Sequence, residues 1–76
     1  MTQGLISEAD AVRLARGVAE KEVWTWLEPV EAQLVQAHGG AWQWNVCSNA
    51  GRRGVNVRIV MDAVSGDIIA KAFLPR

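Results

Sequence analysis

The chain is short of several residue types that chemistry usually needs. It holds one cysteine, Cys47, and one histidine, His38. A lone thiol cannot close an internal disulfide, and one His with one Cys cannot make the cluster that a structural zinc site requires. Metal and cofactor are therefore not expected. Tyrosine is absent and phenylalanine occurs once, so aromatic burial rests on four tryptophans. No apolar run approaches the 18 or more residues that span a bilayer, and the first residues, Met1-Thr2-Gln3-Gly4, have neither the basic nor the apolar region of a secretory signal. As written the chain reads as cytoplasmic; a sequence from which a signal had been removed, and which was then periplasmic or secreted, would read the same way. Net charge is also missing: eight basic residues balance eight acidic ones, which removes the broad attraction that nucleic-acid and membrane-surface proteins carry.

What is present describes a small folded domain. Seventy-six residues allow one domain and a thin core, and an apolar content of 50% with 21% charged residues is that of a globular chain. The zero net charge divides into two halves, about −3 over residues 1–38 and +3 over residues 39–76. The halves can attract each other within one fold or present separate faces to partners.

Ser7-Glu8-Ala9-Asp10 places an N-capping hydroxyl three residues before an acid, with Ile6 and Ala11 at the staple positions, so a helix is expected from Ser7 to about Glu22. Val12, Ala15, Val18 and Ala19 recur at helical spacing on its apolar side, and small alanines let a helix approach a sheet closely. Val23 to Pro29, with Trp24 and Trp26 around a β-branched Thr25, reads as a connection. Residues 30–37 fit a short helix capped by Gly39 or a strand closed by His38-Gly39-Gly40, and the alternation that begins at Ala41 favours the strand. Ala41 to Cys47 alternates strictly, with Trp42, Trp44 and Val46 on one face, which assigns a strand and places Trp42 and Trp44 in the core.

Residues 48–54 are rich in turn formers. Val55, Val57, Ile59 and Met61 then alternate with polar neighbours in a second clear strand. After a reversal over Asp62 to Asp67, Ile68 to Leu74 forms a last strand, apolar on both faces apart from Lys71 and stopped by Pro75. Short turns between successive strands imply an antiparallel meander. The expected fold is α+β: one N-terminal helix packed on a three- or four-stranded antiparallel sheet, in a single domain over residues 1–76.

Catalytic constellations are thin. His38 with Cys47, Asp62 or Asp67 is formally a hydrolytic pair, but no nucleophile signature surrounds it, and Glu20 with Glu22 or Glu28 with Glu31 read as solvated acids. Arg52-Arg53 between Gly51 and Gly54 resembles a phosphate cradle but matches no phosphate-binding fingerprint, and it reads first as a solvated hairpin tip. Should that tip bind, an acidic protein surface suits a neutral chain better than nucleic acid. Trp24 and Trp26, in a connection and flanked by acids, divide between core and interface. The residues assigned to a protein partner are Trp24, Trp26, Arg52 and Arg53, as tryptophan and arginine dominate binding hot spots.

Ile6-Ser7-Glu8-Ala9-Asp10-Ala11-Val12-Arg13-Leu14-Ala15 and Val57-Arg58-Ile59-Val60-Met61-Asp62-Ala63-Val64-Ser65-Gly66-Asp67-Ile68-Ile69 resemble the opening helix and closing hairpin of the PepSY domain family. That resemblance implies a cystatin-like helix on an antiparallel sheet and a non-enzymatic role in binding or inhibiting peptidases. Pro29-Val30-Glu31-Ala32 and Gly40 to Val46, with the strand pair that ends in Ser65-Gly66-Asp67-Ile68-Ile69, are similar to nuclear-transport-factor-like immunity proteins of bacterial toxin systems. This second resemblance implies neutralisation of a toxin by covering it. Under either, the expected partner is a protein or a second copy of the chain, with no nucleic acid and no membrane.

Overall fold

The computed structural model describes residues 4–75. One helix, α1 (Glu8–Glu22), precedes four strands: β1 (Glu31–Gln36), β2 (Trp42–Cys47), β3 (Asn56–Asp62) and β4 (Ile68–Leu74). The strands pair in chain order as an antiparallel sheet, β1-β2-β3-β4. This is the α+β fold expected from the alternation, and residues 31–36 form a strand, not a helix.

Helix α1 starts where its cap predicts. Ser7 Oγ accepts the Asp10 N–H at 3.1 Å, and Glu8 and Asp10 place negative charge in the first turn, where the helix dipole favours it. Ala11, Ala15 and Ala19, four residues apart, lose all solvent exposure against the sheet. Val12 and Val18 flank this stripe and are only half-buried. The sheet answers with Trp44, Val46, Val57, Ile59 and Met61, which share its helix-facing side. The helix packs over β1, β2 and β3 and meets β4 through the ion pair of its last residue, Glu22, with Lys71.

Two tethers fix the N-terminal approach. The Ile6 N–H donates to Ala63 C=O at 2.7 Å, and Trp44 Nε1 donates to Ile6 C=O at 2.9 Å. Trp44 is thereby a core residue with its single polar atom satisfied. Trp42 departs from expectation: it lies on the same face but stays 40% exposed. It sits at the start of β2, where alternation sets the face but the packing leaves two fifths of the side chain in solvent.

The β3–β4 turn is built on Asp62 and Gly66. Asp62 Oδ1 accepts the Val64 and Ser65 N–H groups at 2.8 and 2.9 Å. Gly66 has φ of +83°, and a Cβ there would lie 3.2 Å from Ile6 Cδ1 and 3.3 Å from Leu14 Cδ1. The backbone conformation thus favours glycine, and a Cβ would in addition press on the ends of these two side chains. The acidic and basic halves meet directly at one point among the described residues, the ion pair of Lys71 on β4 with Glu22 at the end of α1.

Candidate functional site

The residues assigned to partner contact come from two separate segments. The first follows α1, which ends in a Schellman motif: Val23 N–H donates to Glu20 C=O and Trp24 N–H to Ala19 C=O. This cap turns the chain so that Trp24 lies along β4, its ring stacked on Phe73 with centroids 5.7 Å apart and planes 13° from parallel. Trp26 is half-buried against the edge of the core, and Leu27 beside it is exposed. Both tryptophans therefore combine a packed side with a solvent-facing one, and the division between core and interface falls within each ring.

The second segment, residues 48–55, is more ordered than a solvated hairpin tip. Ser48, Asn49 and Asn56 are buried. Ser48 Oγ accepts the Val57 N–H at 2.9 Å, and Asn56 Nδ2 donates to Ser48 C=O at 3.0 Å and Asn49 C=O at 2.9 Å. Asn49 Nδ2 reaches across the loop to Gly54 C=O at 2.9 Å. Left-handed backbone at Asn49, Gly51, Gly54 and Val55 closes the loop, which holds Arg52 and Arg53 out in solvent. Neither arginine forms an ion pair among the described residues.

The structure brings the two segments together. Asn49 N–H donates to Leu27 C=O at 2.7 Å and Ala50 N–H to Pro29 C=O at 2.8 Å, so the tryptophan connection and the arginine loop are laced side by side. They meet at the end of the sheet where β2 and β4 finish and β3 starts. The alternation of the strands carries no trace of this meeting, because it depends on how the connection crosses the top of the sheet.

A polar hollow of about 350 Å³ opens beside this end, on the sheet face opposite the helix. Glu31, Gln33, Asn45, Cys47 and Arg58 line its floor and Ala50 and Gly51 its rim. Glu31 lies across from Cys47 and Cys47 across from Arg58, so acid, thiol and guanidinium form one cross-strand row. Sequence reasoning did not single out this row; its signal is the polar side of three alternating strands, visible only after the register is known. The Cys47 thiol sits within 3.5 Å of Ser48 C=O.

His38 lies in the β1–β2 turn, at the far end of β2 from Cys47. The six residues of β2 hold its two ends roughly 17 Å apart, so this histidine cannot act on that thiol. Among the described residues no three His, Cys, Asp or Glu side chains converge on a common point. Two carboxyls are held below the usual carboxylate range: Asp62 by the Ser65 and Val64 N–H groups of its turn, and Asp10 by the hydrogen bond and charge of Arg13. Both serve local structure. No described helix is long and apolar enough to cross a membrane. Comparison with protein-family models, with curated proteins and with solved structures finds no match to this chain.

Proposed function

We propose that the chain is a non-enzymatic protein-binding module of PepSY-like type, which engages a peptidase through the end of the domain that carries Trp24, Trp26, Arg52 and Arg53. One observation carries the contact surface: the Asn49 and Ala50 hydrogen bonds to Leu27 and Pro29 join the connection that holds a half-exposed tryptophan pair to the loop that holds two arginines without ion-pair partners among the described residues. Rigid aromatic area beside unpaired guanidinium groups is the composition of a binding hot spot, and it selects a partner with apolar and acidic groups close together. The loop is held by buried amides, so little ordering entropy is lost when a partner docks. The peptidase assignment rests on the resemblance of residues 6–15 and 57–69 and on the helix-then-meander order that it implies.

The test is titration of the chain against cysteine, serine and metallopeptidases, followed by tryptophan fluorescence and by residual peptidase activity. Binding is expected with at least one class, and Arg52→Glu with Arg53→Glu should weaken it at least tenfold, about 1.4 kcal/mol, with thermal unfolding unchanged. Binding that the double substitution leaves intact would overturn the surface. Failure with every peptidase class, together with tight binding to a toxin encoded beside this chain, would replace the peptidase by the immunity role of the second resemblance.

A further inference from the structure

The two edges of the sheet are unlike. On β1, Glu31, Gln33 and Gln36 interrupt the apolar positions. The β4 edge, Ile-Ile-Ala-Lys-Ala-Phe-Leu, is exposed at six of its seven residues, with Ile69 at 52% and Leu74 at 50%. Its one charge, Lys71, is taken up by Glu22 of the same chain. Natural sheets protect a long edge with free charge, a bulge, proline or a covering element; the bulge of β4 falls at its start, opposite Met61, and Pro75 follows its end, so Ala70–Leu74 between them keeps its outward backbone groups open.

The ladder shows which backbone groups are left over. Ser48 N–H donates to Val57 C=O and Ala63 N–H to Trp42 C=O, so residues 57, 59 and 61 turn their backbone groups toward β2, and 56, 58 and 60 toward β4. Through the β3–β4 register, Ala70, Ala72 and Leu74 bond to β3, while Lys71 and Phe73 aim their N–H and C=O groups outward.

We propose that a second copy of this chain pairs with that edge, antiparallel across a two-fold axis at Ala72, joining the two sheets into one. The edge is self-complementary in this register. Lys71 falls opposite Phe73 of the second copy in a pair that exchanges both backbone bonds. On the other face Ala70 meets Leu74, and Ala72 meets its own counterpart. Shifting the axis to Lys71 would set two like charges directly opposite. An axis at Ala70 would place Phe73 against Asp67 and leave Leu74 on Gly66. With the axis at Ala72 the paired stretch is residues 70–74, a ladder of about 17 Å. So short a ladder lies below the size of standard specific interfaces, and the dimer is a weak, reversible one.

Sedimentation velocity from about 1 μM to 1 mM should show monomer giving way to dimer within that range. Ala72→Glu should remain monomeric throughout: the new carboxylate faces Arg58 across β3 and is tolerated in the monomer, but two of them meet at the axis. Its thermal unfolding shows that the fold survives. In a Cys47→Ser background, Ala72→Cys should cross-link on oxidation, because partners in this kind of pair have Cα atoms about 4.5 Å apart. Ala70→Cys, opposite Leu74, should not. A wild type that stays monomeric at 1 mM, an Ala72→Glu chain that associates as wild type does, or equal cross-linking at 70 and 72 would each overturn the proposal. Arg52→Glu with Arg53→Glu leaves this association unchanged, which separates its outcome from that of peptidase binding.

Discussion

Replacing Val23 by glycine should stabilise this domain. Val23 occupies the left-handed position of the Schellman motif, with φ of 59° and ψ of 36°. That position is ordinarily glycine, because a Cβ there crowds the carbonyl oxygen, at a cost of about 1–2 kcal/mol that β-branching does not reduce. The side chain recovers almost nothing by packing, since the residue is 88% exposed. Against the relief stands the larger entropy that glycine loses on folding, about 0.5–1 kcal/mol. The difference leaves about 1 kcal/mol in favour of Val23→Gly, a rise of roughly 4–8 °C in Tm for a domain of this size. Circular dichroism melts, with urea unfolding followed by tryptophan fluorescence, would measure it at a protein concentration held constant and low, so that association does not contribute. A Tm equal to or below that of the wild type would refute the reasoning, and would mean that the strain at Val23 is offset by something other than the exposed side chain's contacts.

Removing the Asn56 amide should be costly for its size. Its Nδ2 serves two carbonyls in a buried site, so Asn56→Ala leaves Ser48 C=O with only the Cys47 thiol and Asn49 C=O with only the Arg52 N–H, and should destabilise by about 2 kcal/mol, read as a lower urea midpoint. Acid should weaken the β3–β4 turn. Asp62 titrates lower in the folded chain than in the unfolded one, so its contribution is full above the unfolded carboxylate value near 4 and is lost as pH falls through the folded value. Stability measured between about pH 5 and 2 should therefore fall less steeply in Asp62→Ala than in the wild type, and parallel curves would show that the turn hydrogen bonds do not shift this group.

The strands and the helix were legible because their periodicities are strict. Trp44, Val46, Val57, Ile59 and Met61 lie on one face as the two-residue alternation requires, and Ser7 caps α1 with the bond its position predicts. Trp42 shows where the pattern stops: alternation selects a face, whereas full burial needs neighbours on every side, and at the start of β2 these cover only part of the ring. The 48–55 loop read as solvated because Ser and Asn are usually found in water. Its buried amides became necessary only when the connection from Trp24 to Pro29 crossed above it and took up the Asn49 and Ala50 N–H groups.

By itself, the order of residues determined one helix, its cap, the antiparallel meander and the side of each strand that turns inward, because these follow from local dihedral preferences and from periods of two and 3.6. Only the tertiary structure decided that the connection after α1 is laced to the loop that carries Arg52 and Arg53, that Glu31, Cys47 and Arg58 share a row, and that β4 keeps an open edge. Each of these depends on the length and placement of α1 against the sheet and on the strand register. Those are properties of contacts between segments distant in sequence, which no local pattern encodes.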